Sequence, residues 1–221
     1  MKNIEVKLLH HTPLEITIDA IRTCWDSGCK KDSVYENGKL VLGNQDKALL
    51  DRIVNHHKHL STIEHVYYNF FIKGISRACL QELARHRHAS LSVESTRYTL
   101  KKHLKNEEGF KYEQDFDRAS KYVVLTEDLE SNLQILSNLD NLLRLVKQNK
   151  SNDVVKYALP EAFRTNLYWT INARSLRNFL ELRSSNHALH EIRILANKVY
   201  KSLPELHKQT LFKNIIKEYN E

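Results

Sequence analysis

The chain is poor in glycine, with five in 221 residues, and none of them builds a phosphate loop. Neither G-x-G-x-x-G nor G-x-x-x-x-G-K occurs. A phosphate ligand would therefore have to be held by side chains or helix ends. Cysteine is scarce as well, and Cys24, Cys29 and Cys79 form an odd set without zinc-type spacing. They read as reduced thiols and not as a disulfide framework. None stands beside a plausible base, which argues against a catalytic thiol. No run of about 18 apolar residues occurs, so no membrane-spanning helix is expected. The opening stretch MKNIEVKLLHHTPLE breaks its apolar residues with charge and lacks a small-residue cleavage site, unlike a signal peptide. The cytoplasm is the expected location. No Pro/Gly/Ser-rich linker divides the chain, whose length suits a single domain over residues 1–221.

What is abundant is charge. Thirty-four Lys and Arg against 27 acids leave a formal net charge of +7, which suggests an anionic partner. A nucleic acid would favour a continuous basic stripe, whereas acids are interspersed along this chain. Small phosphorylated ligands fit equally well, so charge alone decides little. The histidines raise a metal site, since His56, His57, His59, Glu64 and His65 cluster and His187 and His190 lie near Glu191. Yet H-E-x-x-H is absent, and His56, His57 and His59 do not share one helical face. No metal is expected.

Residues 3–9 read as a strand. Thr12, Pro13 and Glu15 read as a capping box opening a helix. Residues 28–46, with three of the five glycines, read as a loop or excursion. Leu49, Leu50, Ile53 and Val54 have helical spacing. In EHVYYNFFIKG, the alternation of Val66, Tyr68, Phe70 and Ile72 predicts the best strand. SRACLQELARHR returns to a helix. Residues 115–148 predict one or two amphipathic helices with Leu129, Leu133, Leu136 and Leu143 on the apolar side. Pro160 and Pro204, each followed by glutamate, predict helix starts, so residues 160–219 read as helical throughout. The class is α+β and helix-rich, with a small, mainly antiparallel sheet.

One stretch, ARHRHASLSVESTRY from Ala84 to Tyr98, is chemically dense. Ala89, Leu91 and Val93 alternate with Ser90, Ser92 and Glu94, predicting an extended piece with apolar anchors on one side and polar groups on the other. Arginine supplies planar, permanent cations suited to phosphate, and serine adds short donors. An anion cradle and a solvated helix end are both open on chemistry alone.

R-H-R, seven residues, S, then x-R-Y resembles the signature of the flavin-dependent thymidylate synthases, through Arg85, His86, Arg87, Ser95, Arg97 and Tyr98. NARSLRNFLELRSSNHA, from Asn172 to Ala188, resembles that family's C-terminal motif. HLSTIEHV resembles its H-x-T-P-F-E-H segment, and AIRTCW its A-R-x-S/C-Y stretch. The resemblance implies methylation of dUMP to dTMP, with methylenetetrahydrofolate as carbon donor and NADPH reducing a bound FAD, and no cysteine nucleophile. It also implies a homotetramer with active sites at subunit interfaces, and gives no reason to expect nucleic-acid or membrane binding.

By family position, Glu82, Arg85, Ser95, Arg97 and the main chain over Glu94, Ser95, Thr96 and Arg97 would hold dUMP, with Lys156 on its phosphate. Arg183 would pair with the pyrimidine and favour its activated, ionised form. Ser61, Arg85, His86, Arg87, Asn172, Arg174, Asn178 and His187 would bind FAD, with His59 near the flavin–folate region. If residues 172–187 are one helix, Asn172, Arg183 and His187 fall within about 60° of each other, with Arg174 and Asn178 roughly opposite. The chain departs from the family pattern at Glu82 (for Gln), Ser92 (for Asn), Val93 (for an acid, with Glu94 next), Lys156 (for Arg) and in STIEH (for TPFEH).

Overall fold

A computed structural model describes residues 4–216. Strand β1 (Glu5–His11) leads to α1 (Glu15–Cys24), a hairpin of β2 (Val34–Glu36) and β3 (Lys39–Val41), and α2 (Asn44–Leu50). Helix α2 continues into a π-helical turn, Asp51–His56, and a 3-10 turn, Leu60–Ile63. Then come β4 (Tyr67–Ser76), α3 (Arg77–Ala84), β5 (Ala89–Val93) and α4 (Thr96–Leu104). The remainder comprises α5 (Phe116–Ala119), α6 (Leu129–Lys147), α7 (Asn152–Val155), β6 (Arg164–Asn172), α8 (Ala173–Arg183), α9 (His190–Ser202) and α10 (Glu205–Leu211). No described helix is long and apolar enough to cross a membrane.

The main sheet has the order β1-β4-β6-β5. Strands β4 and β6 run antiparallel: Ala173 N donates to Val66 O at one end and Arg77 N to Phe163 O at the other. In β6, Thr165, Leu167, Trp169 and Ile171 are buried, the period-two pattern of a strand with one covered face. This corrects the expectation of a wholly helical last third. Pro160 starts a turn, closed by Phe163 N on Pro160 O, and only Pro204 precedes a helix.

Other departures have local causes. The Thr12 hydroxyl accepts from Tyr67 N at 3.0 Å, so it serves strand β4 and does not cap α1, whose N-cap is Leu14. Residues 28–46 are ordered by the β2–β3 hairpin, turned at Asn37 and Gly38, both with positive φ, the pairing that such tight turns require. Asp46 also anchors this region, accepting from buried Arg22 Nε at 2.8 Å and Ser33 N at 2.9 Å. On α6, Leu136, Leu139, Leu142 and Leu143 are buried, whereas Leu129 and Leu133 are exposed. Within β4, Gly74 has φ +79, and its N–H donates to Asn166 Oδ1 at 3.0 Å.

The chain forms two compact units. The first comprises the chain up to Glu5, Ile72–Arg85 and Ser92–Leu167; the second comprises Val6–Phe71, His86–Leu91 and the chain from Tyr168 onward. The first has a core of α4, α6 and flanking segments, including Leu100, Leu104, Phe110, Leu139 and Val155. In the second, a file of rings runs from Phe212 through Tyr68, Phe70 and Trp169 to Phe179 and His86, with successive centroids 5.0–6.2 Å apart.

Candidate functional site

The ring file explains how the R-H-R segment is held. His86 is buried, edge-on to Phe179 of α8 at 5.1 Å. Its Nε2 accepts from Arg183 Nε at 3.0 Å. In the second unit the two sequence motifs thus meet through a half-buried hydrogen bond. Arg85 and Arg87, on either side of the anchored imidazole, are both exposed. Arg85 is the C-cap of α3 and belongs to the first unit.

Helix α8 follows β6 without a loop because Asn172 caps it, with Oδ1 accepting from Ser175 N at 2.9 Å. The helix ends at Arg183, with Ser184, Ser185 and Asn186 next in the chain. Expecting one helix over residues 172–187 was therefore too long: Asn172 precedes it and exposed His187 lies beyond it. Arg174 and Asn178 project from its exposed side, and Arg174 Nη1 donates to Glu64 Oε1 at 2.6 Å.

A cavity of about 440 Å³ in the second unit gathers His59, Ser61, Thr62 and Arg174 against Ile21 and Trp25. His59, Ser61 and Arg174 are thereby brought together, whereas Asn178 and His187 do not line it. Its wall combines apolar surface with hydroxyl, imidazole and guanidinium donors.

In the first unit, Ser95 is the N-cap of α4 and makes no side-chain cap bond. Of the first-turn amides, Tyr98 N donates to Ser95 O at 3.1 Å, while those of Thr96 and Arg97 have no acceptor within the helix. Arg97 Nε donates to Asp153 Oδ1 at 2.5 Å, and Asn152 Nδ2 to Arg97 O at 2.7 Å. These bonds fix α7 against α4. Lys156, exposed, lies three residues after Asp153 in the same run of helical turns, so Ser95, Thr96, Arg97 and Lys156 come to one region. Glu82 sits half-buried on α3.

Glu94 has a different setting. Its Oε1 bonds His103 Nε2 at 2.6 Å, and its Oε2 accepts from Asn166 Nδ2 at 2.7 Å. Burial pushes its pKa up, but hydrogen bonds from His103, Thr99 and Asn166 outweigh this and hold it below the ordinary value. It lines a cavity of about 370 Å³ with Lys73, Thr96, His103, Arg164 and Asn166. Sequence reasoning missed His103, Asn166, Asn152 and Asp153. Their roles depend on long-range pairing, and no local pattern marks them.

A family model described as thymidylate synthase complementing protein matches residues 7–207. The flavin-dependent thymidylate synthase of Wolinella succinogenes is 54% identical over 203 residues, covering 92% of this chain and 95% of the relative. The chain belongs to the flavin-dependent thymidylate synthase family. The synthase is also 51% identical to that of Campylobacter jejuni over 205 residues, covering 93% and 94% of the two chains. A crystal structure of thymidylate synthase X from Helicobacter pylori, with FAD and dUMP, superposes with a TM-score of 0.87 at 46% identity. The match covers 98% of the synthase and all of that chain. The helix-rich architecture with a small sheet is therefore common to both.

Proposed function

We propose that this synthase methylates dUMP to dTMP, taking the carbon from methylenetetrahydrofolate and reducing equivalents from NADPH through bound FAD. In this reading the chain is one catalytic domain, supported by a family match running from residue 7 to residue 207. It works in the cytoplasm as a homotetramer with active sites at subunit interfaces.

The observation that carries the reading is the His86–Arg183 hydrogen bond at 3.0 Å. It joins the two motif segments and leaves Arg85 and Arg87 facing outward. Arg183 pairs with the pyrimidine of dUMP. Its permanent cation stabilises negative charge building on the ring without losing a proton. Arg85, Ser95 and Arg97, with main-chain groups over Glu94–Arg97, hold the nucleotide, and Glu82 contributes from α3. The unused Ser95 hydroxyl and the amides of Thr96 and Arg97 at the start of α4 suit a phosphate. Lys156 adds charge, though without the two-pronged geometry of arginine.

The cavity of His59, Ser61, Thr62 and Arg174 suits FAD chemically, since a flat ring system needs apolar wall and its diphosphate needs donors. Ser61, Arg85, His86, Arg87, Asn172, Arg174, Asn178 and His187 are the residues assigned to it, with His59 toward the folate. When bound, FAD supplies the redox step that lets the chain dispense with a nucleophilic thiol. That fits the thiols present: Cys79 is buried, and Cys24 and Cys29 are exposed and unpaired.

The test is a dUMP methylation assay with FAD, NADPH and methylenetetrahydrofolate, omitting each in turn. Each omission should abolish dTMP formation. A colourless protein that FAD cannot reconstitute, or turnover indifferent to FAD, would overturn the reading.

A further inference from the structure

Glu94 stands one residue before the segment read as a phosphate cradle, yet its carboxylate is not offered to a ligand. Oε1 is taken by His103 Nε2 at 2.6 Å and Oε2 by Asn166 Nδ2 at 2.7 Å. Its backbone is tied as well, Glu94 N donating to Asn166 O at 2.9 Å. A bare carboxylate beside that cradle would oppose a phosphate, so these bonds matter for charge as well as for shape. Burial opposes ionisation of Glu94, but the bonds from His103, Thr99 and Asn166 outweigh it. An ionised carboxylate only accepts, so His103 Nε2 carries the hydrogen between them, whatever the charge on the ring.

Asn166 is itself oriented from the sheet. Its Oδ1 accepts from Gly74 N at 3.0 Å, which leaves Nδ2 turned to Glu94. The series of bonds runs from β4 through β6 to the residue before α4, and on to the last turn of α4, all inside the first unit. Thr99 and His103 are four residues apart and share one helical face, and Thr99 Oγ1 donates to Ser95 O at 3.1 Å. A nine-residue helix whose last turn is bonded to the residue before its first cannot pivot freely about its start. The cavity of about 370 Å³ around these groups turns its polar wall on itself. Lys73 pairs with Glu5 at 3.2 Å, and Arg164 donates to the carbonyls of Ser120, Val123 and Gly74. A positioning network fits it better than a ligand site.

We propose that His103, on the reading of Ser95–Arg97 as the phosphate cradle, is a positioning residue for dUMP. Acting through Glu94, it fixes the start of α4 so that the Ser95 hydroxyl and the amides of Thr96 and Arg97 converge on the phosphate. Its own contact is with Glu94 and not with the nucleotide.

The test is steady-state kinetics with dUMP and with deoxyuridine, which lacks the phosphate. The proteins are the wild type, His103→Ala, His103→Gln, Glu94→Ala, the double alanine variant and Ser95→Ala. His103→Ala should raise KM for dUMP about tenfold, the scale of one hydrogen bond to a charged group, with kcat and the KM for deoxyuridine little changed. His103→Gln, whose amide still donates to Glu94, should recover most of that loss. The double variant should fall short of the product of its two single effects, because the pair acts as a unit. A merely structural tie would lower the urea midpoint and leave the ratio of the two KM values where it was, which would overturn the assignment. So would single effects that multiply, or a His103→Gln variant no better than His103→Ala. A KM for dUMP unmoved by Ser95→Ala would remove the phosphate reading and this inference together. Absence of wild-type dUMP methylation would remove the synthase reading as well.

Discussion

Acid should loosen this protein through His207. The imidazole is 3% exposed on α10, with Nδ1 2.7 Å from the Tyr68 hydroxyl of β4. The His11 ring stands edge-on at 4.9 Å. Burial, and secondarily the proximity of His11, lower its pKa from 6.5 to about 4. The folded state thus holds this group neutral where the unfolded chain would protonate it. Above about pH 6.5 both states are neutral and nothing is lost. Below that, the unfolded chain gains a proton that the folded chain refuses until about pH 4, so stability falls with pH. Each pH unit in that window removes about 1.4 kcal/mol, or about 3 kcal/mol across it, against a typical total of ~5–15 kcal/mol. Urea unfolding from about pH 7 to about pH 4.5 should show this loss in the wild type. His207→Gln, whose amide oxygen still accepts from Tyr68 but cannot titrate, should lose that much less. Parallel pH profiles for the two proteins, or an imidazole midpoint near the ordinary value by NMR, would refute the reasoning.

Three substitutions probe the site and its surroundings. Arg183→Ala should cut dUMP methylation by about 100-fold or more, the scale of a lost charge-stabilising donor, while flavin stays bound; flavin loss with turnover kept would contradict its role. Lys156→Ala should raise KM for dUMP and leave deoxyuridine unaffected, and an equal change in both would exclude a phosphate contact. Asp46→Asn should cost about 3 kcal/mol by stranding buried Arg22, read as a lowered midpoint in urea; a loss under about 1 kcal/mol would mean the pair behaves as a surface contact.

The helix-rich class and strand β4 were legible because their apolar residues keep a clean period, and Val66, Tyr68, Phe70 and Ile72 are all fully buried. Strand β6 was equally periodic, but Pro160–Glu161 mimicked a helix start and drew attention from the alternation behind it. The R-H-R motif was legible as chemistry, not as geometry. Nothing in its spelling says that His86 is buried against Phe179 while its arginine neighbours face outward. Thr12 shows the same limit: a hydroxyl at a helix entrance looks like a cap until a strand 55 residues away claims it. Glu94, His103 and Asn166 meet through β6 and α4, so their network is invisible before the sheet is known.

The wide turn at Asp51–His56 has an evolutionary consequence. A π-turn holds one residue more than an α-turn. Removing one residue here would let the helix close in the ordinary way, and the chain beyond it would rotate by about 100° around its axis. His59 would then swing off the wall that it shares with Trp25. Point changes leave this count alone, whereas a single deletion does not. Among descendants of this gene, side chains between Leu50 and His59 should vary more readily than the spacing between them.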